Sequence, residues 1–351
     1  MLNLKIENVK IKGISTVVPK NKLKLEDDDS LYGGNKKRLK RVMASTGFNC
    51  RRVADENTTS SDLCVKAAEN LFNEMNYNRK ELQAVVFVTQ TPDYYMPATA
   101  SILQDRLNLS QDIATFDVNQ GCAGYVYGLW IASSLISGGL KKVLLLVGDT
   151  SAKYTDMFRD GSAPIFGDAG SATILEYDTN AESIYFNIGT DGSGYEVIMT
   201  PNGGFRNPPK KDMFYENGQF KYESQMDGAK VMEFTLDKVP LSIKEILEKS
   251  NNKIENIDYF IMHQANKFIL ENIAMNTDIP FDKMPTETIS KYGNQSCTSI
   301  PSAICDTINE EVSNKTVKLL LSGFGIGLTW ASCIATFDKI TCTKINEYEG
   351  E

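Results

Sequence analysis

The feature that most constrains this chain is an internal repeat. Asn119-Gln120-Gly121-Cys122 returns as Asn294-Gln295-Ser296-Cys297, an offset of 175 residues. The same offset of 175 lays the apolar run Leu82 to Val88 on Ile257 to His263, and Val143-Leu144-Leu145-Leu146-Val147-Gly148 on Lys318-Leu319-Leu320-Leu321-Ser322-Gly323. One four-residue match is weak evidence, but three in one order and one register identify a duplication, and a repeat decides the architecture before any local reading does. Each half reads as an apolar strand, a turn carrying Asn-Gln-x-Cys, a helix and a second apolar strand. Each closes on β-rich sequence, Ala172-Thr173-Ile174 and Ala335-Thr336-Phe337, now offset by 163 because a loop differs in length.

Short apolar runs of this kind fit fully buried strands of a parallel sheet. Alternation with helical patterns then implies layered α/β halves, spanning 1–178 and 179–351, with helices covering the sheet faces. The helix after Cys122 is apolar nearly all round, with Tyr125, Val126, Leu129, Trp130, Ile131, Ala132, Leu135 and Ile136, and stops at Gly138-Gly139. Such a helix belongs between layers. The irregular stretch Gly192 to Glu223, rich in Gly, Pro, Asn and Lys, reads as a surface excursion or a lid. Met1 to Lys12 has no apolar leader region and reads as a strand of a cytosolic protein.

Composition excludes several function classes. No apolar stretch approaches the roughly 18 residues of a membrane span. The net charge of -8 argues against general nucleic-acid binding. A local basic run, Lys36, Lys37, Arg38, Lys40, Arg41, Arg51 and Arg52, could hold a phosphate or an acidic partner, though a solvated helix face explains it as well. Seven scattered cysteines without a C-x-x-C pair, and a single histidine, leave no basis for a disulfide framework or a metal site.

Three residue types can do chemistry. Strand Ile113 to Val118 runs into the Asn-Gln-Gly turn, so Cys122 stands at a helix start, where free N–H groups and the dipole favour a thiolate. Cys297 has the same setting by the repeat, while Cys64, Cys305 and Cys333 read as small core residues. His263 ends an apolar strand, at the edge where α/β sheets place ligands, although a lone histidine is more often structural. Asn294, after Tyr292-Gly293, is a turn residue whose amide could also stabilise an oxyanion. Ser322 to Gly327 is a weak glycine pattern that also suits close backbone approach to a bound acyl group.

Taken with their neighbours, these residues resemble the β-ketoacyl-acyl-carrier-protein synthase III group of the thiolase superfamily over nearly the whole chain. The matching segments are Thr46-Gly47-Phe48 with Arg51-Arg52, Asp117 to Gly124, Ile165-Phe166-Gly167-Asp168, His263-Gln264-Ala265-Asn266, Tyr292-Gly293-Asn294 with Ser299-Ile300-Pro301, and Gly323 to Trp330. The resemblance implies a thiolase-like layered αβαβα fold of two duplicated halves, a homodimer, and decarboxylative Claisen condensation in fatty acid or related lipid biosynthesis. An acyl group from acyl-coenzyme A or acyl carrier protein (acyl-ACP) would be held on cysteine and condensed with malonyl-ACP. It implies Cys122, not Cys297, as the nucleophile, His263 and Asn294 as holders of the malonyl thioester carbonyl, and an oxyanion hole at the backbone of Cys122 and Ile326 beside Gly325. No cofactor, metal, nucleic acid or membrane is implied. Residues implied near substrate are Thr46, Met96, Arg159, Asn266, Phe268 and Phe324.

The pattern also departs from the family. Arg41 and Asp160 stand where a tryptophan and an arginine commonly sandwich the coenzyme A adenine, and Ser45 and Phe268 replace arginines. Met96 replaces an aromatic that reaches across the dimer to limit the acyl pocket, and Ile326 replaces a glycine. These departures point to an unusual acyl donor, such as one bound to a carrier protein. Acyl transfer from Cys122 to a hydroxyl or amine, and a non-catalytic carrier-binding subunit, are the alternative readings.

Overall fold

A strand covered on both faces carries apolar side chains at every position, one set facing each neighbouring layer. The computed structural model describes residues 1–27, 31–153, 165–215, 218, 220, 221 and 224–350. In chain order the first half carries β1 (Leu2–Ile6), β2 (Val9–Pro19), β3 (Lys22–Lys24), β4 (Cys50–Arg52), β5 (Ala84–Val88), β6 (Ala114–Val118), β7 (Lys142–Asp149) and β8 (Ala169–Tyr177). The second carries β9 (Ile184–Thr190), β10 (Ile198–Met199), β11 (Gln225–Met226), β12 (Tyr259–Met262), β13 (Thr316–Gly325), β14 (Thr329–Asp338), β15 (Thr341–Cys342) and β16 (Asn346–Tyr348). The helices are α1 (Lys36–Thr46), α2 (Ser60–Met75), α3 (Thr99–Arg106), α4 (Gly124–Ser137), α5 (Gly228–Lys249), α6 (Lys267–Thr277), α7 (Glu287–Tyr292), α8 (Ser299–Thr307) and α9 (Asn309–Asn314).

Two large sheets repeat one strand order. The first runs β15–β2–β8–β7–β5–β6, with β16 also on β2, and the second runs β1–β9–β14–β13–β12. In each, the two apolar runs of the repeat pair in parallel, β5 with β7 and β12 with β13, and the closing strand returns antiparallel. The register of side chains then builds five layers. Val86, Val88, Leu145 and Val147 face inward with Leu319 and Leu321, enclosing α4 and α8 in one core. Val85, Phe87, Leu144 and Leu146 face the other way, onto α2 and α3, while Phe260, Met262 and Leu320 pack on α5 and α6. The layering is αβαβα, and α4 is buried on most sides because it lies in the middle layer.

Three details differ from the expectation. The segment Met1 to Lys12 is two strands rather than one, because Asn8 adopts a left-handed conformation at φ 62° and turns the chain. β1 joins the second sheet while β15 and β16 join the first, so the terminal strands pair across the two halves. The position equivalent to β6 in the second half is the short helix α7, so Asn294 is reached from a helix where Asn119 is reached from a strand.

The middle layer sets the stability expectation. Leu129→Ala, at a residue 1% exposed in α4, should lower the unfolding free energy by about 2–5 kcal/mol in urea titrations. Ser134→Ala on the exposed side of the same helix should stay within about 0.5 kcal/mol of wild type. Equal effects would contradict the layer assignment.

Candidate active site

The nucleophile position is built by a turn between β6 and α4. Asn119 to Cys122 carries the chain from the last strand residue to the helix, and Gly124 N–H closes the turn on Gly121 O at 2.6 Å. Gly124 has no room for a side chain, since a Cβ there would lie 2.9 Å from Cys297 Cβ in the equivalent turn of the other half. The loop after β13 closes on Cys122 from the opposite side. A Cβ at Gly325, whose φ is 153°, would meet Cys122 Sγ at 2.9 Å. On this side the N–H groups of Ile326 and of Cys122 itself act on the sulfur, each pulling the thiol's pKa down.

The thiol is nonetheless not a ready thiolate. Burial pushes it up to about 11, with the nearby Asp149 carboxylate adding to the rise, against the pull of the two N–H groups and the Ser296 hydroxyl. The helix start alone therefore does not lower it, which corrects the sequence expectation: desolvation outweighs the partial charge of the helix terminus. Cys297 is different again. It is 1% exposed, and its Sγ donates to Asp149 Oδ2 at 3.1 Å, away from the cavity that Cys122 faces.

His263 is fixed by the sheet. Its N–H donates to Ser322 O at 2.7 Å, continuing the β12–β13 pairing, and its Nδ1 lies 2.7 Å from Ser299 Oγ at the start of α8. Phe324 packs edge-on against the imidazole, with ring centroids 5.5 Å apart. Burial lowers the ring to about 3, so it is neutral at physiological pH.

Asn294 is held by backbone and side chain alike. Its N–H donates to Ile165 O at 2.8 Å, and its carbonyl accepts from Gly167 N–H at 3.0 Å. Its Oδ1 accepts from Ser296 N–H at 3.0 Å, which leaves the amide NH2 as the donor end. Cys122, His263 and Asn294 line one cavity of about 440 Å³, together with Asn266, Phe324 and Ile326. The Gly192–Glu223 excursion supplies another wall through Met199, Asn202 and Gly203, and Tyr95 Oη donates to Gly203 O at 2.6 Å.

Residues 116–192 and 247–337 match the models of the 3-oxoacyl-[acyl-carrier-protein] synthase III family, the latter its C-terminal part. A Campylobacter jejuni protein provisionally named 3-oxoacyl-[acyl-carrier-protein] synthase 3 is 37% identical over 358 aligned positions, covering 100% of both chains. The chain belongs to the 3-oxoacyl-[acyl-carrier-protein] synthase III family. A Clostridium perfringens β-ketoacyl-[acyl-carrier-protein] synthase III is 33% identical, covering 94% of this chain and 99% of its own. The crystal structure of a Burkholderia xenovorans 3-oxoacyl-(acyl-carrier protein) synthase superposes with a TM-score of 0.91 at 33% identity, covering 99% of each chain.

Not every residue that the resemblance to the synthase III family implied lies in this cavity. Asn266 and Phe324 line it, Asn266 while its side chain caps α6 by accepting from Ile269 N–H at 2.8 Å. Thr46, Met96 and Phe268 stand outside the lining: Thr46 Oγ1 donates back to Val42 O at 2.6 Å, and Met96 and Phe268 are 77% and 46% exposed. Arg159 and Asp160 lie outside the described residues. The basic run divides, with Lys37, Lys40 and Arg41 on the solvated face of α1, Arg51 buried, and Arg52 paired with Glu347 at 2.6 Å. Sequence reasoning missed Ser296, Ser299 and Asp149. Ser296 occupies the variable place of the repeated motif, and Asp149 is a charged residue just after the apolar run Val143 to Val147, which was a legible signal. Among the described residues no group of three or more His, Cys, Asp or Glu side chains is placed to hold a metal ion, and no helix is long and apolar enough to cross a membrane.

A lone histidine makes its titration easy to read. Its ring resonances should not shift between about pH 5 and 8. Because the folded value lies below the unfolded 6.5, its contribution to stability is present above about pH 6.5 and lost as pH falls toward about 3. His263→Gln should remove that part of the acid sensitivity in denaturant titrations. A ring titrating near 6.5 in the folded protein would contradict the burial argument.

Proposed function

We propose that this chain is a condensing acyltransferase that carries an acyl group on Cys122 and joins it to a malonyl thioester on acyl carrier protein, with loss of carbon dioxide. The observation that carries this reading is the shared cavity: a thiol facing two backbone N–H groups, with a neutral imidazole and a carboxamide on the same wall. In the first half-reaction Cys122 Sγ attacks the acyl thioester, and the N–H groups of Cys122 and Ile326 receive the developing oxyanion. In the second, His263 and the Asn294 amide donate to the malonyl thioester carbonyl, so the carbanion left by carbon dioxide is stabilised as an enolate before it attacks the acyl-cysteine. The Ser299 hydroxyl donates to Ser296 O at 3.0 Å and lies 2.7 Å from Nδ1; turned onto Nδ1 it would leave the proton of a neutral imidazole on Nε2, the donor tautomer that this step needs. Neutral donors suit the task, because they strengthen as charge develops and need no proton exchange with solvent.

The acyl donor in this reading is carried by a protein. Arg41, exposed on α1, and Phe268, exposed on α6, stand where the family commonly has a tryptophan and an arginine at the coenzyme A site, and that departure supports the choice. The functional unit is a cytoplasmic homodimer. Tyr94, Tyr95 and Met96, 61%, 76% and 77% exposed beside Phe205 at 88%, form an apolar patch of the kind that a second subunit covers. A monomer mass in sedimentation would sink the dimer.

Intact-protein mass spectrometry after exposure to acyl-ACP and acyl-coenzyme A panels should show one acyl adduct on Cys122, absent from Cys122→Ala, with acyl-ACP preferred. His263→Ala and Asn294→Ala should retain the adduct while slowing carbon dioxide release from malonyl-ACP about 10²–10³-fold. Adduct transfer to a hydroxyl or amine without carbon dioxide release would favour the simple acyltransferase instead.

A further inference from the structure

The reaction above leaves the segment Ile165 to Asp168 without a role. It runs against Asn294, and backbone bonds hold that residue from both ends: Asn294 N–H donates to Ile165 O at 2.8 Å, and Gly167 N–H donates to Asn294 O at 3.0 Å. Glycines bring the two segments into backbone contact. A Cβ at Gly167 would lie 1.9 Å from Tyr292 O, and one at Gly293, whose φ is 80°, would lie 2.8 Å from Ile165 O. A shift of one segment is therefore passed to the other. Asp168 is fully buried and does not line the cavity. Its Oδ2 accepts from Ala54 N–H at 2.8 Å, just beyond β4, and its Oδ1 accepts from Ala152 N–H at 2.8 Å, just beyond β7. Its own N–H donates to Arg52 O at 2.8 Å. Gln295, the neighbour of Asn294, donates from Nε2 to the Asp168 carbonyl at 3.4 Å. Burial lifts the carboxyl to about 7, against the pull of the Ala54 and Ala152 N–H groups and of the Lys153 and Arg51 charges.

From this geometry we infer that Asp168 is a positioning residue for condensation, holding the Asn294 carboxamide where the malonyl thioester carbonyl meets it. The inference rests on the acyl-cysteine reading above, and within it on Asn294 as a donor in the second half-reaction. Each oxygen of the Asp168 carboxylate takes one backbone N–H, so this side chain ties the ends of β4 and β7 to the segment that grips Asn294. The Asn294 side chain has little freedom of its own, since its Oδ1 is committed to Ser296 N–H. Where its NH2 points is thus set by its backbone, and the place of that backbone by the anchored segment. Cys122 is carried by a different turn, between β6 and α4, so its acylation does not depend on this hold. The split between the two half-reactions is what distinguishes positioning from general support of the fold.

Asp168→Asn keeps the size of the side chain but turns an NH2 toward one of the two N–H donors, so one tie is lost. This variant should slow carbon dioxide release from malonyl-ACP about 10–100-fold, through kcat rather than KM, while acyl-Cys122 forms within about threefold of the wild-type rate. In the Asn294→Ala background the same substitution should add less than about threefold, because the group that Asp168 positions is already gone. A purely structural Asp168 predicts otherwise: both half-reactions fall together, and the effects of the two substitutions multiply. Either result, or carbon dioxide release at the wild-type rate from folded Asp168→Asn, overturns the inference alone when Asn294→Ala is itself slow. Should Asp168→Asn fail to fold, amide hydrogen exchange of the wild-type protein carries the test. The Asn294 and Gly167 N–H groups should then open together with those of Ala54 and Ala152. Exchange at Asn294 while Ala54 and Ala152 stay protected overturns the inference. Undiminished carbon dioxide release by Asn294→Ala overturns the functional reading and this inference with it.

Discussion

Two turns that meet between two sheets hold this molecule's chemistry together. Asn119 to Cys122 and Asn294 to Cys297 carry the same Asn-Gln-x-Cys pattern, and they pack so closely that Gly124 can carry no side chain opposite Cys297. Their approach is possible because α4 and α8 share a single middle layer, with Tyr125, Leu129, Ile300 and Ile304 in one core. Any change that parts the layers parts the site, since Cys122 belongs to one turn, Asn294 to the other, and His263 to the adjoining strand of the second sheet.

Burial in that layer governs the electrostatics. The same desolvation raises the Cys122 thiol and depresses the His263 imidazole, so both rest in their neutral forms. A site poised this way responds strongly to charge formed during reaction, because the low local dielectric that penalises a resting ion also strengthens each hydrogen bond to a developing one. The two N–H groups at the sulfur and the Asn294 amide are held in place by backbone geometry rather than by flexible side chains, so they need no rearrangement as charge develops. Asp149 is the one carboxylate in this network, and its hydrogen bonds from Gln90, Thr89 and Cys297 hold it there.

Much of this was legible in the sequence because the recurring motifs keep one register. The offset shared by the Asn-Gln-x-Cys turns and the apolar strands foretold both sheets and the central helix, while the choice of Cys122 over Cys297 came from the family resemblance. The rest depends on tertiary geometry that local patterns do not encode. Nothing in Glu7-Asn8 says that the chain will cross from one sheet to the other, and the residues before Asn294 fold as α7 although their repeat counterparts are a strand. The thiol's resting state was misjudged because a helix start is visible in sequence and desolvation is not. Thr46, Met96 and Phe268 came from family resemblance rather than from residue chemistry, and all three stand outside this chain's cavity lining.

The most direct measurement is a crystal structure of the protein trapped with an acyl thioester. The account predicts electron density for the acyl group on Cys122 Sγ, its carbonyl oxygen within hydrogen-bond reach of the Cys122 and Ile326 N–H groups, and the His263 ring and Asn294 amide facing the vacant side of the carbonyl carbon. Acylation at Cys297, or a Cys122 adduct whose carbonyl points away from both N–H groups, would contradict it.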